Sequence, residues 1–156
     1  MVVGVSLSGY LSKYRSFALC ATLLILNLLL SYLFSWAFPN AFAGHFEPED
    51  SLLYNFFLVV VFAPLIETYF FQKLLLGWLS RWTKNEAIAV LVAALLFGSQ
   101  HFYSLPYMAK TFISGAMYNI LFLTIYKKGQ PAFWIVCASH SAFNLIAFCA
   151  YVIEKL

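Results

Sequence analysis

The sequence has very little charge for its length. Of its 156 residues, 10% are charged and 63% are hydrophobic, and the net charge is +3. A soluble domain of this size carries about 25% charged residues, so the composition indicates a protein built for the lipid bilayer. No basic cluster resembles a nucleic-acid footprint, so nucleic acid is not an expected partner. The length leaves room for a single integral membrane domain, residues 1–156.

Cysteine and histidine are also scarce, with three of each. Cys20, Cys137 and Cys149 are odd in number and lie in apolar runs, so we expect buried free thiols and neither a disulfide framework nor paired metal ligands. His45 lies in the acidic connection 40–50, where a solvated surface histidine is expected.

The sequence contains several long apolar runs. A membrane-crossing helix needs about 20 mostly apolar residues. The fold class we predict is all-α, a polytopic membrane helical bundle with about five transmembrane helices. The predicted spans are residues 16–38, 51–79, 87–103, 108–126 and 131–153.

Lysine and arginine are unevenly divided between the two ends of these spans. Seven lie on the side of the N-terminus and two, Lys110 and Lys155, on the other side. Because basic residues tend to stay in the cytoplasm, we expect a cytoplasmic N-terminus and an external C-terminus. The segment ending in "AFAG" (Ala41–Gly44) imitates a secretory signal, but its apolar run is longer than the usual 7–15 residues or so.

A few polar residues lie at membrane depth, where an ionisable side chain marks a functional site by default. Glu67 and His101 are each seventeen residues from Lys84, which centres a hairpin turn, so both lie at one depth. His140 and Asn144 share a side of the fifth span at i, i+4. Three helices therefore bring these polar groups to one layer. Helix–helix hydrogen bonds explain the isolated Asn27, Asn55 and Asn119.

Amide hydrolysis without a covalent intermediate suits the four side chains of this layer, Glu67, His101, His140 and Asn144. A glutamate in a partly desolvated pocket is a competent general base, and a neutral histidine can hold the attacking water. A second histidine and an asparagine amide can donate hydrogen bonds to a carbonyl oxygen. Pro64, just before Glu67, frees a backbone carbonyl and permits a kink, and Phe97 can cover His101 at i, i+4.

Three segments carry these residues: "PLIETYFFQ" (Pro64–Gln72), "FGSQH" (Phe97–His101) and "HSAFN" (His140–Asn144). In this order they resemble the motifs Glu-Glu-x-x-x-Arg, Phe-x-x-x-His and His-x-x-x-Asn of the CPBP family. This is the CAAX-protease and bacteriocin-processing group, also called Abi, of intramembrane glutamic proteases. Thr68 and Gln72 depart from the first motif, where the family has its second glutamate and its arginine.

The resemblance implies an intramembrane endopeptidase with no cofactor, acting on a membrane-anchored protein or peptide. It assigns Glu67 to water activation with the help of His101, and His140 and Asn144 to the oxyanion. Short bacterial members include the myxosortase type, which trims C-terminal sorting tails from exported proteins. Because the charge bias places the site nearer the outer face, we expect such a substrate and a bacterial inner membrane location. The oligomeric state is not predicted.

Several alternatives stay open. The chain could be an inactive family member that acts as a bacteriocin-immunity or membrane scaffold protein. Glu67 and the two membrane histidines could instead bind zinc, although no His-Glu-x-x-His motif occurs and Asn144 is a poor ligand. A rhomboid-like serine protease would pair Ser114 with His140, but Phe112 stands where that pattern has glycine.

Overall fold

A computed structural model describes residues 7–41 and 51–155, with side chains from residue 14 onward. Within these ranges the chain forms five helices and a short 3₁₀ turn, Pro39–Ala41, and no strand. The predicted all-α helical bundle is confirmed. His45 and residues 42–44 of the signal-like stretch lie outside the described residues. The helices are α1 (Leu7–Ala37), α2 (Leu52–Thr83), α3 (Glu86–Ser99), α4 (Leu105–Lys127) and α5 (Ala132–Lys155).

Helix α3 is shorter than the predicted third span. The other four helices are long and apolar enough to cross a membrane, but the 14 residues of α3 extend only about 21 Å, against about 30 Å of hydrocarbon. Ser104 accepts the Tyr107 N–H and caps the start of α4, so residues 100–104 connect two helices. The prediction of a helix over 87–103 is therefore wrong at its C-terminal end, and His101 lies in the connection.

From α2 to α5 the helices follow one another as antiparallel neighbours joined by short connections, and α1 packs against α4 and α5. Between α2 and α3, Lys84 adopts a left-handed conformation with φ of 52°, and Asn85 accepts the N–H groups of Ala87 and Ile88 as an N-cap. The connection between α4 and α5 contains Gly129, with φ of 67°, a conformation that glycine adopts without strain. The turns 84–85 and 128–131 thus lie at one end of the bundle and the connection 100–104 at the other.

Helices α3 and α4 approach closely at two glycines. A Cβ atom on Gly98 would lie 2.9 Å from Cβ of Phe112, and one on Gly115 would lie 2.7 Å from Cδ1 of Phe97. Small residues permit this approach between membrane helices. The absent side chain of Gly115 therefore provides the space in which the Phe97 ring lies.

All three cysteines are free thiols, as predicted, but only Cys137 is buried. Cys20 is half-buried and Cys149 is exposed on the surface of α5. Apolar flanking sequence did not distinguish the interior of the bundle from its outer surface, because in a membrane protein both are apolar.

Candidate active site

Helix α2 is widened on both sides of Glu67. In the segments Phe57–Phe62 and Thr68–Leu75 the backbone bonds span five residues instead of four, so both are π-helical, and a single α-helical stretch, Ala63–Glu67, separates them. Such π turns are rare and are frequent at functional sites. The side chain of Glu67 projects from this stretch and is 25% exposed.

The upstream π segment leaves one carbonyl without a backbone donor. The N–H of Ala63 donates to Leu58 O, so at the same spacing Val59 O would need an N–H from residue 64. That residue is Pro64, which has none. Asn144 of α5 provides the missing donor, because its Nδ2 donates to Val59 O over 2.8 Å. The sequence predicts that Pro64 frees a backbone carbonyl, and the five-residue spacing makes Val59 O that carbonyl.

Glu67 meets His140 in the interior of the bundle. Oε2 of Glu67 lies 3.7 Å from Nε2 of His140, whose side chain is only 7% exposed. This distance exceeds that of a hydrogen bond, so the two groups are close neighbours without a direct bond. The imidazole stacks on the Tyr118 ring, with centroids 4.6 Å apart and an angle of 27° between the planes. The rotation of the His140 ring is therefore restricted by a buried neighbour.

His101 joins the same cluster through Phe97. The Phe97 ring lies 4.9 Å from the His101 ring and 6.2 Å from the His140 ring, so it lies between the two histidines. Nδ1 of His101 lies 2.8 Å from Phe97 O. Because a carbonyl only accepts, Nδ1 carries the proton, and in the neutral ring Nε2 presents a lone pair. His101 can thus accept a hydrogen bond from water.

One of the two departures from the first family motif, Gln72, takes part in a neutral bridge between helices. Gln72 donates from Nε2 to Asn119 Oδ1 over 3.2 Å, and Asn119 donates from Nδ2 to Val90 O over 3.1 Å. This buried chain of amides joins α2, α4 and α3. It also confirms that Asn119 makes a helix–helix hydrogen bond. Thr68 is fully buried, and its hydroxyl has no hydrogen-bond partner in the described part of the chain.

Lys110 is a member of the cluster that sequence reasoning missed. It is 6% exposed, and its Nζ lies 4.6 Å from the centre of the Phe143 ring and 5.8 Å from that of Tyr107. Tyr107 in turn lies 5.9 Å from the ring of His101, and Phe143 belongs to the helix of His140. The available signal was its position inside the predicted span 108–126, where a lysine is as unusual as the glutamate that was singled out.

The two alternative sites, a zinc site and a rhomboid-like serine site, can be compared with this geometry. Over residues 7–41 and 51–155, no group of three His, Cys, Asp or Glu side chains lies close enough together to hold a metal ion. Ser114 Oγ and His140 Nδ1 are both buried and neither has a hydrogen-bond partner in those ranges. Nε2 of His140 faces Glu67 and Nδ1 has no partner among the described residues. Neither ring nitrogen therefore bonds to Ser114, and the pairing of a rhomboid-like site is not formed.

A comparison with protein families identifies a family model that matches most of the chain. The family model described as "Type II CAAX prenyl endopeptidase Rce1-like" matches residues 49–146, more than half of the chain, and the matched region contains all four predicted catalytic residues. Searches of curated proteins and of solved structures find no match. Together with four helices able to cross a membrane, the family identifies an integral membrane peptidase. The chain belongs to the Rce1-like family of type II CAAX prenyl endopeptidases, a branch of the CPBP intramembrane proteases.

Proposed function

We propose that the protein hydrolyses a peptide bond of a membrane-anchored substrate with a water molecule activated by Glu67. The observation that carries the proposal is the 3.7 Å approach of the Glu67 carboxylate to His140 inside the bundle. In the reaction, the water oxygen attacks the carbonyl carbon while Glu67 accepts a water proton. The C–N bond then breaks, and the proton passes to the departing amine.

The two histidines and Asn144 have separate roles in this proposal. His101 accepts a hydrogen bond from the attacking water at Nε2, since its Nδ1 donates to Phe97 O. His140 and Asn144 donate to the oxygen that becomes negative during attack. Asn144 has one N–H bonded to Val59 O, which leaves its second N–H for this role.

The short helix α3 offers a route for water. The helix ends at Ser99, so the connection that carries His101 begins within the thickness of the bilayer. Gln100 and Tyr103 in this connection are exposed. Hydrolysis needs water at membrane depth, and non-helical backbone is tolerated there where it lines a water-filled cavity or is buried in protein.

The side of the membrane on which the site opens determines which substrates can reach it. Arg81, Lys84, Lys127 and Lys128 lie at or near the end of the bundle opposite the His101 connection. If basic residues stay in the cytoplasm, the site opens toward the outside of a bacterial inner membrane, with the N-terminus cytoplasmic. This supports the C-terminal sorting tail of an exported protein, as in the myxosortase type. The family match favours a second candidate, a prenylated CAAX tail.

The test compares two glutamate variants in lipid nanodiscs. Both candidate tails are offered as fluorogenic peptides, and thermal unfolding is followed in parallel. Glu67→Gln should lower kcat by about 10²–10⁴-fold, the range for loss of a general base, without a change in unfolding midpoint. Glu86→Gln is the matched control, because Glu86 is exposed and pairs with Lys127 far from the site. Full activity of Glu67→Gln would exclude the mechanism. A wild type inactive on both tails, together with a destabilised Glu67→Gln, would favour the scaffold alternative.

A further inference from the structure

Three buried polar atoms around the His140 ring have no hydrogen-bond partner among the described residues: Ser114 Oγ, Tyr118 Oη and Nδ1 of His140 itself. The three residues are 4%, 2% and 6% exposed, respectively, so bulk water does not reach these atoms. Buried polar atoms in folded proteins are nearly always bonded to protein or to ordered water, because a desolvated donor or acceptor left alone is costly. Three such atoms beside one imidazole therefore need a common explanation.

The three atoms belong to facing sides of α4 and α5. On α4, Lys110 lies 4.6 Å from the centre of the Phe143 ring of α5. Tyr118, two turns further along α4, stacks on His140 of α5. Ser114 is one turn from each of these two α4 residues, and residues four apart lie on one side of a helix. Ser114 therefore faces α5 between the positions of Phe143 and His140.

The chemistry of the two nitrogens of His140 determines what Nδ1 needs. Nε2 faces the Glu67 carboxylate at 3.7 Å, and an ionised carboxylate only accepts hydrogen bonds. In the neutral ring the proton therefore lies on Nε2, and Nδ1 presents a lone pair that needs a donor. The hydroxyl groups of Ser114 and Tyr118 can donate, and neither is bonded within residues 7–41 and 51–155. The unpaired acceptor and the unpaired hydroxyls thus complement one another.

We propose that Ser114 and Tyr118 hold one buried water molecule that donates a hydrogen bond to Nδ1 of His140. A bridging water fits the structure better than a direct bond, since Ser114 Oγ faces the same region as the imidazole without bonding to it. Three polar partners match the usual number for a buried water. The water donates to Nδ1 and to one hydroxyl, and it accepts from the other. Bonds mediated by water are nearly as favourable as direct ones.

The water keeps His140 in the protonation state that the proposed function requires, and the inference rests on that function. A donor at Nδ1 opposes both the tautomer protonated at Nδ1 and the doubly protonated ring. The form protonated only at Nε2 can donate to the developing oxyanion. A doubly protonated ring would instead pair with Glu67, 3.7 Å away, and hinder that carboxylate from accepting a proton from water. Ser114 is thus a positioning residue that acts through His140.

The experiment measures histidine tautomers by nitrogen NMR of the nanodisc-embedded protein labelled with ¹⁵N-histidine. Protonated and unprotonated ring nitrogens resonate in separate ranges, so each ring reports which nitrogen carries the proton. The chain has three histidines, and the variants His45→Gln and His101→Gln assign their signals. For the wild type we expect opposite tautomers in the site. His101 should be protonated at Nδ1, which lies 2.8 Å from Phe97 O, and His140 at Nε2.

Ser114→Ala should lower the ratio of the Nε2-protonated form of His140 to its other forms by about two- to tenfold, the effect of one hydrogen bond. The kcat should fall by a similar factor with little change in KM, because the oxyanion forms only during the reaction. Tyr118→Phe, which keeps the stacked ring, should shift the ratio in the same direction. Ser114→Thr, which keeps the hydroxyl, should retain the wild-type ratio. The tautomer of His101 should be the same in all these proteins.

Ser80 provides the matched control. Its hydroxyl oxygen is also buried and has no hydrogen-bond partner within the described ranges. It lies thirteen residues beyond Glu67 on α2, toward the end of the bundle opposite the His101 connection. Ser80→Ala should leave the tautomers of both site histidines and the kcat at their wild-type values. Unfolding midpoints of all variants show that the bundle is intact.

Three outcomes would overturn the water site. In the first, Ser114→Ala leaves the tautomer ratio of His140 unchanged. In the second, Ser114→Ala shifts the ratio but Tyr118→Phe does not, which would indicate a direct bond from the serine. In the third, wild-type His140 is protonated at Nδ1. A protein with the expected tautomers and the expected response to Ser114→Ala that cleaves neither candidate tail would support the water site and overturn the proposed function alone. The two failures are therefore distinguishable.

Discussion

The hydrogen bond from Asn144 to Val59 allows a quantitative test of how the site is held. Asn144→Ala removes the Nδ2 donor that lies 2.8 Å from Val59 O, and Pro64 prevents the backbone from replacing it. Leaving a desolvated carbonyl unsatisfied costs about 1–3 kcal/mol, so the free energy of unfolding should fall by that amount. The activity should fall as well, because Val59 belongs to the helix that carries Glu67.

Pro64→Ala is the second perturbation in this cycle. Alanine supplies an N–H at residue 64, which at the five-residue spacing of Ala63 to Leu58 would donate to Val59 O. Asn144→Ala should then cost less in the Pro64→Ala background, with a coupling energy of about 1–2 kcal/mol, within the range for residues in contact. Unfolding in detergent by chemical denaturant, monitored by tryptophan fluorescence, measures the four proteins.

The control for this cycle is Asn27→Ala. Asn27 donates to Leu23 O of its own helix and to Met117 Sδ of α4 and shares no bond with Pro64 or Val59, so its effect should be additive with that of Pro64→Ala to about 0.3–0.5 kcal/mol. The same additivity for Asn144→Ala would refute the reasoning about Val59. The turnover of the double variant separates two roles of Asn144. A positioning role predicts recovery of kcat, whereas an oxyanion donor predicts a persistent loss of about 10²–10³-fold.

Two further predictions concern packing and orientation. Gly115→Ala places a Cβ 2.7 Å from the Phe97 ring, so it should destabilise the bundle by about 1–3 kcal/mol and lower kcat, measured by denaturant unfolding and peptide cleavage. Gly77→Ala, with nothing within 4 Å of the added Cβ, should be neutral or stabilising in the same assays. In bacteria, alkaline phosphatase fused after residue 156 should be active, whereas green fluorescent protein fused at the same position should not fluoresce. The opposite pattern would place the C-terminus in the cytoplasm and favour the prenylated CAAX tail.

The depth of the site could be predicted because helices have a fixed rise. Equal counts from the turn near Lys84 predict Glu67 and His101 in one layer, and in the structure Phe97 contacts the rings of His101 and His140, while His140 contacts Glu67. The i, i+4 spacing of His140 and Asn144 likewise put both on the side of α5 that faces α2. The assignment of chemical roles to these four residues stays a prediction.

The end of α3 and the role of Asn144 could not be read from the sequence. An uncharged run continues past Ser99 to Tyr103, and the absence of charge does not show where a helix stops inside it. The bond from Asn144 to Val59 depends on the five-residue spacing of α2, which the sequence analysis does not predict. Lys110 was counted with the basic residues outside the membrane, and its burial became visible only with α5 in place.

The most direct test of the account is whether Glu67 and His140 act as one unit. Turnover is measured for Glu67→Gln, for His140→Ala and for the double variant, each at the same folded fraction. Groups that act together in catalysis are strongly non-additive. The account predicts that the double variant is no slower than the slower single variant. Losses that multiply, or a Glu67→Gln protein with wild-type turnover, would contradict it.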